Sequence, residues 1–485
     1  MSISGTLFNA YSGLVAAART AEAVSNNVAN AQTDGYGRRE VQLNSAATAG
    51  RGTGVRVSGV IRDVDTIAIA DRRLASAQSH ENAANLSALQ RLESALGLPG
   101  EGNALTEHVL RFEESLISAQ SHPDSNVHLQ NILQTANDLA TKINYQSDAV
   151  QTIRQDADRQ ITREVDSMNK TLGQIADLNR NIRVQLGGGR DVNGLMDQRQ
   201  VLVDRVAEQV SLKVFQRDHG QIALVTTGGT TLLDGLPAEV SFVPAGTITA
   251  DMTQASGALS GLLVNGKTIV PGGGNGPMNG GRIAGLFQQR DAIGQEANMQ
   301  IDAFARSLVE RFETSGLDAT RAIGDAGLFT DAGQPFSALD EAGLAGRLEV
   351  NGTVDPDQGG ALWRLRDGLG ATAEGTPGEA GLITGFLGVL QEGLIPGSGQ
   401  FSSGTLSLSE LAGDLVAQNA GKRLFAEESN VSAAARHNEL KQIELSGGVD
   451  TDQEMQKLLL IEQAYAANAR VISTVDQMLQ TILEL

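Results

Sequence analysis

Residues 150–186 read VQTIRQDADRQITREVDSMNKTLGQIADLNRNIRVQL. Val150, Ile153, Ala157, Ile161, Val165, Met168, Leu172, Ile175, Asn179, Ile182 and Leu186 recur in ten steps over 36 residues, a mean of 3.6, which is the period of a straight α-helix. At ~1.5 Å per residue such a helix runs about 54 Å. Gly187-Gly188-Gly189 ends it, and Leu195, Leu202, Val206 and Val210 mark a second amphipathic helix. Upstream, residues 103–186 hold one Gly, Gly173, and one Pro, Pro123, so this whole stretch reads as long helices.

Outward from that helical centre the texture changes. Leu212 to Phe215 and Ile222 to Thr227, separated by Asp218-His219-Gly220, predict a hairpin of short strands. Gly257 to Gly281 is too broken for long elements, but Ile283 to Phe312 returns to helix with Ile301, Phe304, Leu308 and Phe312 on one face. Turn residues dominate from Gly324 to Gly404, which predicts a β-rich or irregular outer lobe, and residues 405–445 are helical again. The fold class is mainly α with a β-rich insertion, an α+β arrangement with helix outside, strand inside and helix outside.

The 485 residues imply about three domains. With 41% hydrophobic residues but 4% aromatics and one Trp, the cores must rest on Leu, Ile, Val and Ala. A formal charge of −20 and a pI near 4.7 repel phosphate backbones and argue against nucleic acid as a partner. The absence of Cys excludes a disulfide framework, a thiolate metal site and a cysteine nucleophile together. Nowhere do about 18 apolar residues run without a charge, so no membrane insertion is expected. The Leu14-Val15-Ala16-Ala17-Ala18 run is cut short by Arg19 and Glu22, which leaves export without a cleaved signal peptide as the route out of the cell.

Both ends carry heptad-like stripes. Ile3, Leu7, Ala10, Leu14, Ala17, Ala21, Val24 and Val28 alternate in steps of four and three, as do Leu458, Ile461, Tyr465, Asn468, Ile472, Val475, Leu479 and Ile482. The capping box Thr451-Asp452-Gln453-Glu454 is expected to open the second helix. Periodicity alone leaves two readings open, a coiled coil between the ends or amphipathic helices lying on a globular core. The ends differ in sign. Residues 1–62 carry six arginines against three carboxylates, +3, and residues 450–485 carry Lys457 and Arg470 against six carboxylates, −4. Because the stripes are thin and largely small, each end is expected to be weakly ordered until it meets the other or copies of itself.

Sites of chemistry are sparse. Gly261-Leu262-Leu263-Val264-Asn265-Gly266-Lys267-Thr268 satisfies the G-x-x-x-x-G-K-T pattern of a P-loop nucleotide binder. Its context fails, because Ile269-Val270-Pro271-Gly272-Gly273-Gly274 cannot continue as the helix whose N-terminus would face the phosphates. His122, Asp124 and His128 cluster around Pro123 without a metal-ligand pattern, and no Ser sits in a nucleophile elbow. The expectation is a protein that is not an enzyme, with no cofactor, catalytic residue or metal.

The ends are more specific than their periodicity. Ser12-Gly13-Leu14, followed by Ser25-Asn26-Asn27-Val28-Ala29-Asn30-Ala31-Gln32-Thr33-Asp34-Gly35-Tyr36, resembles the N-terminal motif of the flagellar rod, hook and hook-associated proteins. Gly448-Val449-Asp450-Thr451-Asp452-Gln453-Glu454-Met455 and Gln463-Ala464-Tyr465-Ala466-Ala467-Asn468-Ala469-Arg470-Val471-Ile472 are similar to their C-terminal motif. About 100 mostly helical residues are read after the N-terminal motif, where hook proteins pass early into β-structure. Leu195-Met196-Asp197-Gln198-Arg199-Gln200-Val201-Leu202-Val203-Asp204 then resembles a helix typical of the hook-associated members at the hook–filament junction. Gly281-Arg282-Ile283-Ala284-Gly285-Leu286 with Arg290-Asp291, and Gly316-Leu317-Asp318, echo the same members. Asp34 and Gly37-Arg38-Arg39 depart from the more usual Pro and Ser-Arg-Gln.

That resemblance implies a structural component of the bacterial flagellum, located outside the cell, exported unfolded by the type III apparatus and self-assembling at the distal end. It implies four regions: 1–62 with 450–485 as a terminal coiled-coil inner tube, 63–210 with 283–323 and 405–449 as a helical domain, 211–282 as a small β-containing segment, and 324–404 as a variable Gly-rich outer lobe. The assembly interface would take Leu7, Leu14, Val24 and Val28 against Leu458, Ile461, Tyr465, Ile472, Val475, Leu479 and Ile482. Asn468 would fix register on that seam. Asn26, Asn27 and Asn30 would cap the helix end or bond to neighbours. The implied partners are copies of itself in a ring, the flagellar hook protein, a second hook-associated junction protein and an export chaperone. Hook protein or a distal rod protein is the nearest alternative, and a surface-displayed coiled-coil adhesin is a more distant one.

Overall fold

A computed structural model describes residues 3–48, 51–98, 100, 102–269, 271 and 276–484. Its spine is the helix read first from sequence, which starts earlier than the 150–186 period required. The helices, in chain order, are α1 (Ile3–Asn30), α2 (Thr66–Leu96), α3 (Leu105–Ser121), α4 (Asn126–Gly187), α5 (Asn193–Gln209), α6 (Gly281–Gln288), α7 (Gly294–Glu313), α8 (Leu344–Arg347), α9 (Arg364–Asp367), α10 (Gly381–Gln391), α11 (Leu408–Ser446) and α12 (Thr451–Leu483). The 62 residues of α4 span about 93 Å at ~1.5 Å per residue, broken from α3 only by the turn around Pro123.

The strands are antiparallel and, apart from the first two, short. A long hairpin, β1 (Arg38–Thr48) with β2 (Arg51–Asp63), follows α1. Strands β3 (Leu212–Gln216), β4 (Ile222–Thr226), β5 (Thr231–Asp234) and β6 (Leu236–Pro237) form one sheet. A second contains β7 (Val240–Ser241), β8 (Leu262–Val264) and β9 (Lys267–Ile269), and β10 (Phe329–Asp331) pairs with β11 (Leu348–Val350). The predicted hairpin is β3–β4, with Leu212 opposite Thr226.

The spine carries two hydrophobic clusters end to end. Leu129 to Ile153 of α4 belong to one, with α3, α7, α10, the start of α11 and the short elements between residues 328 and 369. Ala157 to Ala176 belong to the other, with α5, α6 and the small sheets. The few aromatics are concentrated in the first. Phe112, Phe312, Phe329 and Phe386, from α3, α7, β10 and α10, meet with ring centroids 5.2–6.1 Å apart. Between the clusters lies a buried polar waist. Arg290 Nη1 donates to Asp158 at 2.7 Å, and Arg154 Nε donates to the Arg290 carbonyl at 3.0 Å. A π-helical turn at Gln289–Ile293, between α6 and α7, places Arg290 there.

Two sequence expectations are corrected and a third is resolved. The 100 residues after the N-terminal motif are not all helical, because β1 and β2 intervene before α2. Val41 and Leu43, then Val55 and Val57, alternate with period two, which is the signal a helical reading passes over. Of the two forms expected for residues 324–404, β-rich or irregular, the structure shows the irregular one: mostly turns and short helices with two three-residue strands. Their apolar residues, including Leu344, Leu348, Leu365 and Ile383, are buried in the first cluster. A segment that closes a core from outside needs no regular period, and so shows none. The capping box is also displaced. Asp450 caps α12, accepting from the Asp452 and Gln453 amides at 2.9 and 3.1 Å, and Glu454 is turned inward.

The P-loop pattern folds as a hairpin. Asn265 and Gly266, with φ of 50° and 76°, form the turn between β8 and β9, so Lys267 opens a strand where phosphate binding needs a helix. Val270 and Gly272 to Gly274 lie outside the described residues, as do Met1, Ser2 and Leu485.

Candidate assembly interface

Helices α1 and α12 lie side by side along much of their length. Ser12-Gly13-Leu14 explains one point of closest approach. A Cβ on Gly13 would lie 2.8–3.0 Å from the Asn468 side-chain amide, so a larger residue there would have to turn that half-buried side chain aside. Asn468 donates to the Ala464 carbonyl at 2.9 Å and presses against α1. The Ser12 hydroxyl, one residue away, accepts the Val55 amide at 3.1 Å and ties β2 to α1.

Few of the candidate interface residues are buried in the single chain. Val24 and Val475 are 3% and 5% exposed; Leu14, Val28, Leu458, Ile461 and Ile472 are half-buried. Leu7, Tyr465, Leu479 and Ile482 are exposed. Further large apolar side chains outside the predicted stripes are also exposed: Phe8, Tyr11 and Val15 on α1, and Met455, Leu459, Leu460 and Met478 on α12. The pair therefore presents apolar surface on its outside, the opposite of what a finished two-helix element shows.

The three asparagines separate. Asn26 is exposed, and its carbonyl accepts from Asn30 Nδ2 at 2.9 Å. Asn27 is fully buried and uses its whole amide. Its Oδ1 accepts the Tyr36 hydroxyl at 2.9 Å and the Arg39 amide at 2.8 Å. Its Nδ2 donates to the Arg39 carbonyl at 2.9 Å and to Glu454 Oε2 at 3.0 Å. Glu454, 1% exposed, also takes Arg38 on Oε1 at 2.9–3.0 Å. One carboxylate at the start of α12 thus fastens the end of α1 and the first strand residue, joining the positive end of the sequence to the negative one. Burial pushes the Tyr36 phenol above its usual range; Arg39, whose guanidinium lies 4.8 Å over the ring, works against that shift.

The network continues into the body through α5. Asp197 accepts the Gly37 amide at 3.0 Å, Arg62 at 2.7 Å and Arg39. Gln200 accepts from Arg62 and donates to Glu444 of α11 at 3.3 Å. Asp204 takes Arg72 at 2.8 Å and Arg73 at 2.6 Å from α2, and Arg72 also pairs with Glu444. Burial opposes the Arg72 charge, but Asp204 and Glu444 outweigh it and hold its pKa above the usual arginine value. Gly35, at φ 75°, lets the connecting turn lie against α5, where a Cβ would meet Val201 at 2.6 Å. The departures at Gly37-Arg38-Arg39 are thus built into this junction. Periodicity gives no sign of Glu454, Asp197, Gln200 or Asp204; the available signal is that Asp197 to Asp204, and Glu454, lie within stretches that resemble the family's motifs.

Taken together, long helices around a spine and paired termini with apolar outer faces are the features of a structural protein. A family model described as flagellar hook-associated protein FlgK helical domain matches residues 89–329, and one described as flagellar basal body rod FlgEFG protein C-terminal matches residues 446–485. The chain is 24% identical to flagellar hook-associated protein 1 of Bacillus subtilis, across 95% of this chain and 94% of that protein. It is 26% identical to the protein of the same description from Escherichia coli, across the full length of both. The solved flagellar hook junction protein FlgK from Burkholderia pseudomallei shares 19% identity and a TM-score of 0.44 over 54% of this chain and 46% of that one. By these matches the chain is similar, over nearly its whole length, to flagellar hook-associated proteins of the FlgK family. Among the described residues no helix is long and apolar enough to cross a membrane.

Proposed function

We propose that this protein forms the junction between hook and filament. On this reading it is exported unfolded, without a cleaved leader, and assembles as a ring through α1 and α12. Residues 1–62 with 450–485 would line the inner tube, and the body built on α4 would form the shell around it. Its neighbours would be the hook protein below and a second hook-associated protein above, with an export chaperone holding the chain beforehand. The role is mechanical and not catalytic. The supporting observation is the apolar outer face of the α1–α12 pair, which a lone chain leaves in water and sister chains would cover.

The experiment is a deletion strain. Cells should build hooks yet release unassembled flagellin into the medium; cells that lack hooks altogether would instead point to a hook or distal rod protein. A strain carrying Leu459→Gln with Leu460→Gln separates assembly from folding. Both side chains are exposed, so the purified variant should melt within about 0.5 kcal/mol of the parent. Cells expressing it should nevertheless be non-motile. Normal swimming by that strain would refute assembly through this face.

A further inference from the structure

Arg199 on α5 is a buried cation without a carboxylate. It is 7% exposed, and its Nη1 donates to Asn179 Oδ1 at 2.8 Å and to the Gly220 carbonyl at 2.7 Å, both neutral acceptors. Its Nε and Nη2 make no hydrogen bond among the described residues. The side chain lines a cavity of about 250 Å³ between the end of β2, α2, α5 and β3. Arg62 and Arg73, whose guanidinium groups are bonded to Asp197 and Gln200 and to Asp204, line the same cavity, and Val64, Ile69 and Val203 supply apolar wall.

The local charge does not close. Arg62 shares Asp197 with Arg39, and Arg73 shares Asp204 with Arg72, which also takes Glu444. Five arginines, with Arg199, therefore face three carboxylates, in a chain whose formal charge is −20. Burial, and then the neighbouring Arg62, push the Arg199 pKa down to about 10, so it remains charged at neutral pH at a cost that a nearby anion would relieve.

We infer that this cavity is a carboxylate-binding site, in which Arg199, with Arg62 and Arg73 beside it, holds the anionic head while the apolar wall takes a short aliphatic stem. Planar guanidinium forks match a carboxylate in geometry, and the wall favours a group with methylenes over a bare inorganic ion. A glutamate side chain of a second copy and a free short-chain carboxylate share this chemistry. The site lies between the β2 exit and α5, so filling it would brace the junction that carries the terminal helices. The inference is independent of where the protein sits in the flagellum.

Propionate, the glutamate side chain cut free, is the probe. With the full-length chain dilute and labelled at arginine Nε, propionate should move the Arg199 Nε–Hε resonance saturably at constant ionic strength. Arg217, exposed and paired with Asp234, should stay still. Arg199→Gln should weaken the propionate-dependent rise in melting temperature roughly tenfold in apparent affinity, and Arg217→Gln should not. No saturable movement at Arg199 in the unaltered protein, or equal movement at Arg217, overturns the site without reliance on any variant. A stronger response to sulfate than to propionate overturns the carboxylate assignment. Raising protein concentration in chloride alone tells the sources apart, since only a second chain's side chain would then move Arg199.

Discussion

Asn27 shows how much a single polar side chain can hold when every hydrogen-bonding position is used. Its four bonds reach Tyr36, both backbone groups of Arg39, and Glu454, more than 400 positions away. Asn27→Asp keeps the shape but sets a carboxylate against Glu454 and the Arg39 carbonyl. We expect a local loss of about 2 kcal/mol or more, read as roughly 30-fold faster amide exchange at residues 25–40 and 450–458. Unchanged exchange there would mean the network is not what fastens the ends. Asp302, on α7, gives a prediction with pH. Burial pushes its carboxyl up to about 6 from the usual 3.8, even though it accepts the Gly343 and Ala345 amides at 2.8 and 2.9 Å. Between those values the native chain binds more protons than the unfolded chain, so this group's contribution to stability is greatest below about pH 4 and falls as pH rises through 6. Relative to Asp302→Asn, the parent should gain about 2 kcal/mol on going from pH 7 to pH 4, measured by urea unfolding with Trp363 fluorescence. A difference that does not vary with pH would contradict it.

At the scale of elements, the α1–α12 contact turns on one hollow. Gly13→Val drives a branched side chain into the Asn468 amide and should cost about 1–3 kcal/mol, loosening α12 in amide exchange. Adding Asn468→Ala should restore most of the loss. If the double variant is no better than Gly13→Val, the contact lies elsewhere. The hollow is visible in Ser12-Gly13-Leu14 only once the partner helix is known. What was legible in the sequence follows from period: α4, α5 and α7 each bury one stripe, α1 and α12 carry stripes that the single chain leaves largely half-buried or exposed, and a stripe survives in the order of residues either way. The β1–β2 hairpin was missed although Val41, Leu43, Val55 and Val57 alternate, because few of its side chains are covered and the composition is mixed. Asp197, Gln200 and Asp204 were missed for a different reason. Polar residues on one helix declare a network only when the opposing Arg39, Arg62, Arg72 and Arg73 are brought from three other elements, and no local pattern encodes that meeting. Glu454 was read as part of a capping box because its spacing fits one; the structure gives the cap to Asp450 and spends Glu454 on Asn27 and Arg38.

Across the whole molecule, the two hydrophobic clusters are strung along α4 and meet at the Arg154, Asp158 and Arg290 waist. The buried members of the first run from Ala88 to Leu415, and those of the second from Ala157 to Phe287. None comes from α1, the β1–β2 hairpin or α12, so among the described residues the terminal pair adds nothing to either core. Its attachment is polar, through Asp197 and Gln200 of α5, which take Arg39, Arg62 and the Gly37 amide, and part-buried ion pairs of this kind add little net stability once the desolvation of their charges is offset. A body of this sort can fold and stay folded while its ends remain free to find other chains, which suits the assembly proposed above. The consequence can be measured. A chain shortened to residues 64–449 should remain folded, with a melting temperature within about 4 °C of the parent, since less than ~1 kcal/mol of core stabilisation is removed. It should also lose the parent's tendency to associate as concentration rises, because the exposed apolar faces of α1 and α12 leave with the ends. A collapse of the melting transition in the shortened chain would show that the ends hold the body together, and that the polar junction carries far more than its individual ion pairs.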